Sequence, residues 1–193
     1  MSQHYELLRA LTSPVVAVTT RRGVELNGLI VNSALRASLS PQKLRLSIIV
    51  HKFNHSHDMI FESGVFTAHI LTADQMDLVI RLGCASGRDG DKLVGLAHRL
   101  GPTGTPILED CYAYFECRVV NAMDTGGSTI FLGAAETAGG SGDGEVMMSG
   151  HVRDGLPAEY QAGYAKDLEH GQRFATEMAG TMHALVWRGL ERG

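Results

Sequence analysis

The segment Lys52-Phe53-Asn54-His55-Ser56-His57 sets a cation, a carboxamide and a hydroxyl close together, directly after the apolar run Leu44 to Val50. If a helix starts at His57, the amide N–H groups of its first turn lack intrahelical partners, and that terminus attracts an anion. Asn54 and Ser56 would add neutral hydrogen bonds, and Lys52 a formal positive charge. The same residues also serve as plain helix caps with Lys52 in solvent. Taken alone, the segment fits either reading.

Two other stretches carry polar groups at turns. Asn27-Gly28-Leu29-Ile30-Val31-Asn32-Ser33 follows a strand-like run; Gly28 permits close backbone approach, and Asn32 and Ser33 offer groups that can bond the edge of a planar ring. By itself it also reads as an ordinary loop. Leu82 to Lys92 (LGCASGRDGDK) is a polar, glycine-broken loop after a helical pattern. His51, His55 and His57 raise the alternative of a metal site, with His55 and His57 sharing a face on an extended chain. Apart from Asp58, no Cys, Asp or Glu at ligand spacing completes such a set, so no metal is expected.

Composition sets the limits. The chain has 193 residues, a formal net charge of −4 and 44% hydrophobic residues, which suits one domain with a real core. No basic run is long enough to neutralise several phosphates, which argues against a nucleic-acid partner. No segment approaches the ~20 apolar residues of a membrane span, and Met1 to Arg9 lacks an apolar stretch of signal-peptide length. Cys84, Cys111 and Cys117 are odd in number and show no CxxC spacing, so reduced, mostly buried thiols in the cytoplasm are expected.

The elements that must position these groups are mostly strands. Pro14 to Thr20, ended by Arg21-Arg22-Gly23, then Val24 to Val31, Leu44 to Val50 and Val65 to Leu71 read as extended. Asp110 to Val120 alternates most clearly: Cys111, Ala113, Phe115, Cys117 and Val119 share one face, and Tyr112, Tyr114, Glu116 and Arg118 the other. A turn at Asp124 to Gly127 leads into Thr129 to Thr137 as a hairpin. Helices are expected at His57 to Ser63, Asp74 to Leu82 and Ala158 to Val186; in the last, Tyr160, Tyr164, Leu168, Phe174, Met178, Met182 and Leu185 recur at helical steps. Gly139 to Gly144 lacks the lysine and strand-to-helix setting of a phosphate loop. The expected fold is mainly β with peripheral helices, a small closed or split β-barrel (about residues 10–150) carrying a C-terminal helical segment (about 156–190) in a single domain. No GxGxxG opens a helix, which argues against a Rossmann domain.

The order Pro14 to Thr20, Asn27-Gly28-x-Ile30-x-Asn32-Ser33, Pro41, Lys52-x-Asn54-x-Ser56-His57 resembles the flavin-reductase-like FMN-binding split-barrel family. Within it, the flavoredoxins and flavin-reductase modules of diflavin proteins are the most similar branch. Glu62 to Phe66, the S-G-R-x-x-D-K loop at Ser86 to Lys92, Gly104 to Leu108 and Ile130-Phe131-Leu132-Gly133 continue the match, over roughly Pro14 to Ala135. The resemblance implies an FMN-binding oxidoreductase with NADH or NADPH as electron donor, working as a homodimer with FMN near the subunit interface. It implies Asn32 and Ser33 near the isoalloxazine ring, Lys52, Asn54, Ser56 and His57 around the phosphate, Ser86, Asp91 and Lys92 in a flanking loop, and Asn27, Ala34 and Leu35 as further cofactor-binding residues. No catalytic residue is assigned. Family reductases commonly carry Gly-Asp-His-Thr where this chain reads Gly126-Gly127-Ser128-Thr129. That departure keeps a non-enzymatic FMN electron carrier open as the alternative.

Overall fold

Strand β1 (Val16–Arg22) runs through the two arginines expected to turn, and reverses one step later at Gly23-Val24 into β2 (Glu25–Val31). The computed structural model describes residues 13–187, with residues 7, 10 and 11. After β2 come β3 (Ala34–Arg36), β4 (Arg45–His51), helix α1 (His55–Ser63) and β5 (Val65–Ile70). Helix α2 (Met76–Gly83), the short β6 (His98–Leu100) and β7 (Pro106–Leu108), and the long β8 (Ala113–Asp124) and β9 (Ser128–Gly139) follow. Helices α3 (Ser149–Gly155) and α4 (Ala158–Met178) close the described chain.

Seven strands form one antiparallel sheet in the order β2-β1-β5-β8-β9-β4-β3. Its ends curl toward each other until β2 approaches β4, giving a half-barrel that encloses a core of Val18, Ile48, Val50, Phe66, Cys117 and Phe131. Outside the curl, Val15, Leu71, Val79, Leu82, Leu93 and Met147 make a second cluster that seats α2 against the sheet. Alternating apolar residues dictate this arrangement, since each strand must turn one face to each of two interiors.

The structure corrects four readings of the sequence. Glu116, set by alternation on the mixed polar face with Tyr112, Tyr114 and Arg118, is fully buried. The loop ahead of β7 covers that face, so the Glu116 carboxylate accepts hydrogen bonds from the Thr103 N–H (2.7 Å), the Thr103 hydroxyl and the Thr137 hydroxyl (3.1 Å). A buried carboxylate is tolerated when its lone pairs are met in this way. Second, the last helix stops at Met178 rather than Val186. Its end lies against the β8–β9 turn, and the chain then runs irregularly back to the barrel. There Trp187 is buried among Phe61 and Phe131, and its indole N–H donates to the Val119 carbonyl at 2.9 Å. Third, α1 starts two residues earlier than expected. Asn54 is its N-cap position without a side-chain capping bond, and the helix ends at Gly64, whose φ is 69°. Fourth, β3, β6 and α3 have no counterpart in the sequence reading; each is only three to seven residues long.

Candidate flavin site

A cavity of about 1290 Å³ opens between the end of β4, the start of α1, the loop after α2, and α4. Ser56 sits at its floor, 1% exposed, where its hydroxyl oxygen accepts from the Asn27 carboxamide N–H at 3.0 Å. The bond links β2 to α1 and fixes both polar groups at the cavity edge. A side chain at Gly87 would collide with the Asn27 carboxamide, so the 84–92 loop can lie directly on it. Arg88 then donates to the Phe53 carbonyl at 3.0 Å, which holds a guanidinium beside Asn54 and Ser56.

The residues singled out from sequence divide into three groups. Asn27, Asn54, Ser56, Ser86 and Lys92 line this cavity together. Asn32 and Ser33 line a smaller adjoining cavity of about 420 Å³, which shares Ile30, Gly83, Cys84 and Tyr164 with the first. Ala34, Leu35, Lys52, His57 and Asp91 border neither. Ala34 packs on the core, and Leu35 is exposed on the edge strand β3.

Lys52, read as a positive charge for an anion, instead donates to Asp124 at 2.7 Å. Burial pushes the Asp124 carboxyl up, but Lys52 and the N–H groups of Gly126 and His183 together hold it below its ordinary range. That cluster ties the hairpin turn to the chain after α4. His57 shares a hydrogen bond of 2.8 Å with Thr129 and stacks near Phe61, which makes it a link between α1 and β9. Asp91 accepts from the Leu93 N–H at 2.8 Å and so shapes the loop.

Lys92 is the buried cation of the site. Its ammonium donates to the carbonyls of Leu82 (2.8 Å) and Ala85 (3.2 Å), and burial pulls its pKa down to about 8. The three histidines considered for a metal go to separate partners: His51 to Ser128 (2.7 Å), His55 to Glu25 (2.7 Å) and His57 to Thr129. Among the described residues no group of three His, Cys, Asp or Glu gathers to hold a metal.

Sequence reasoning missed His51, Arg88 and the α4 residues Tyr164, Asp167 and His170 as cavity walls. His51 and Ser128 are cross-strand partners on β4 and β9, so an imidazole stands beside Ser128 at the turn where the resemblance expects one. Surrounding protein pulls the His51 pKa below its ordinary value. The helical spacing of α4 was readable; which face met the cavity was not, because that depends on where the chain returns to the barrel.

The family description "Flavin reductase like domain" matches residues 8–156, most of the chain. This chain belongs to the flavin-reductase-like family. It is 31% identical over 156 residues to the FMN reductase (NADH) SmoA of Agrobacterium fabrum, covering 81% of this chain and 79% of that protein. It is 30% identical to the high molecular weight rubredoxin of Moorella thermoacetica over 72% of its own length, and spans 61% of that longer protein. Among solved structures it is similar to an NADH:FAD oxidoreductase from Streptomyces globisporus C-1027, with a TM-score of 0.68 and 26% identity, over 76% of this chain and 89% of the other. The family region ends before α4 begins, so the barrel, α1 and the 84–92 loop are family features and the α4 wall lies beyond them.

Proposed function

We propose that this flavin-reductase-like chain is an NAD(P)H-dependent oxidoreductase that holds FMN in the larger cavity. The observation that carries the reading is the convergence of Asn54, Ser56, Ser86 and Arg88, from two separate segments, on one cavity edge beside the first turn of α1. Hydroxyl, carboxamide and guanidinium donors at a helix N-terminus are the chemistry a phosphate requires. The floor from Asn27 to Ser56 and the adjoining cavity at Asn32 and Ser33 leave a planar ring room to lie along β2. Bound FMN would supply the two-electron chemistry, with NADH or NADPH as donor. The protein's part is to bind the phosphate, orient the ring and limit water. The curated relative named as an NADH-dependent FMN reductase supports this assignment.

The visible absorption spectrum of the purified protein, before and after anaerobic mixing with NADH and then NADPH, is the direct test. A protein that takes up FMN and bleaches with either nucleotide fits the proposal; one that stays colourless when offered FMN overturns it. For the phosphate position, Asn54→Ala with Ser56→Ala should weaken FMN binding much more than riboflavin binding, because only FMN carries the phosphate. Equal losses would move the phosphate elsewhere.

Ser128, where family reductases commonly carry histidine, favours a second reading: an FMN electron carrier reduced by another protein. A loaded protein that stays oxidised with both nucleotides yet accepts electrons from a reduced partner would select it. The unit proposed to work is a cytoplasmic homodimer of single-domain chains. Leu35, Leu39 and Leu44, exposed along the edge strand β3 and beside it, support such an interface. Sedimentation velocity at micromolar concentration tests it.

A further inference from the structure

α4 is 21 residues long and has no buried residue. Helices in folded proteins draw most of their stability from packing one face, and Gly163 and Gly171 each weaken this one by about 1 kcal/mol relative to alanine. The face that should be packed is identifiable. Tyr164, Asp167, Leu168, Gly171, Ala175 and Ala179 recur at three- and four-residue steps, and all line the large cavity.

The helix is nonetheless held in place at its second half. A Cβ at Gly171 would stand 3.0 Å from the Phe53 ring, and one at Gly127 would stand 2.8 Å from the Ala175 Cα, so both contacts depend on a missing side chain. Phe53 meets His170 and Phe174 edge-on at 5.6 and 5.8 Å. Beyond the helix, His183 N–H donates to Asp124, and Trp187 is buried in the barrel. Such anchoring against an open cavity is what a wall built around an occupant needs.

We propose that the α4 face bearing Tyr164, Asp167 and His170 contacts the bound flavin nucleotide, which completes the packing of the helix. This rests on FMN occupying the cavity. The site thereby gains a wall from a segment outside the family region, and ligand binding and α4 order become linked. The cavity, at about 1290 Å³, exceeds the roughly 300–1,000 Å³ of ordinary ligand pockets, so the nucleotide can reach α4 without displacing it. Charge sets its direction. Asp167 lies near Cys84, where burial and then its carboxylate raise the thiol pKa, so an anion is disfavoured there. The phosphate goes instead to Asn54, Ser56 and Arg88, leaving the uncharged ring for Tyr164 and His170.

Amide hydrogen exchange on the full chain, with and without saturating FMN, tests this, while flavin fluorescence quenching reports binding separately. FMN should slow exchange in residues 158–178 by about tenfold or more. Tyr164→Ala should weaken FMN binding about tenfold, or 1.4 kcal/mol, with the thermal midpoint of the apo protein unchanged. Glu169→Ala, exposed on the same helix, should leave affinity within twofold. Quenching without protection of 158–178 overturns the inference and leaves the FMN assignment standing. Absence of quenching overturns both. Protection that follows protein concentration rather than FMN gives the face to a second copy and overturns it as well.

Discussion

The barrel wall at β5, β8 and β9 and the cavity wall at α4 are both long elements of one chain, held by opposite means. On the barrel side Phe66, Cys117 and Phe131 are fully enclosed, and even a Cβ at Gly133 would press into the Phe66 ring. On the α4 side no residue is buried, and contact is made at a few points where glycine lets backbones close up. Dense packing yields a rigid frame; sparse packing yields a surface whose energy is still to be collected from something else. The dense wall lies within the family-matched region, and α4, the sparse one, lies after it.

The largest expected effect exploits this contrast. Phe66→Ala should cost about 3–5 kcal/mol in urea unfolding, whereas Leu168→Ala on α4 should cost less than about 0.5 kcal/mol in the apo protein. Comparable losses would erase the distinction between the two walls.

Acid should act next, and on the barrel side. His69 is fully buried, sharing a hydrogen bond of 3.1 Å with the Ala17 carbonyl and accepting the Leu108 N–H at 3.0 Å, and burial pulls its pKa down to about 4. In the unfolded chain it protonates near its ordinary value of 6.5. Because the folded pKa is the lower one, stability is complete above about 6.5 and drains as pH falls toward 4. Between pH 7 and 5 the expected loss from this residue is about 2 kcal/mol. The lowered His51 adds loss in the same direction. His69→Gln should flatten the pH dependence of the urea midpoint; an unchanged slope would locate the acid sensitivity elsewhere.

Trp187→Phe keeps a six-membered aromatic ring but removes the pyrrole half of the indole and its N–H donor to the Val119 carbonyl, for an expected cost of about 1–2 kcal/mol. If exchange in residues 179–187 also rises while β5 stays protected, the tail is an anchor separable from the barrel.

The smallest effect lies in the cavity. With a pKa of about 8, Lys92 loses its charge as pH rises through 8, and FMN affinity should fall a few-fold there while riboflavin affinity stays flat. Lys92→Met should remove that step.

How much of this was legible beforehand follows the same division. Period-two alternation located β4 and β8, apolar runs bounded by turn residues located β1, β2 and β5, and the Asp124–Gly127 turn located the β8–β9 hairpin, because strand patterns are written residue by residue. Asn54, Ser56 and the Ser86–Lys92 loop were found by motif order, and the structure brings their segments to one cavity. The burial of Glu116 was not legible because it depends on Thr103 and Thr137, from a loop and from another strand, which no local pattern encodes. Lys52 was read as free because its partner, Asp124, lies 72 residues away. The α4 wall was invisible for the corresponding reason: a helical repeat states that a face exists, not what stands opposite it.

The Trp187 contact also bears on the order in which the molecule assembles. Its indole completes a core whose other members, from Val16 to Phe131, precede it by more than fifty residues. During synthesis the half-barrel can pair its strands while the slot beside Phe61 and Phe131 remains open, and the last piece arrives only when residue 187 has left the ribosome. Trp187 thus closes that slot from a position more than fifty residues downstream of the strands it seals, and as the chain's single tryptophan it gives the closure its own fluorescence signal.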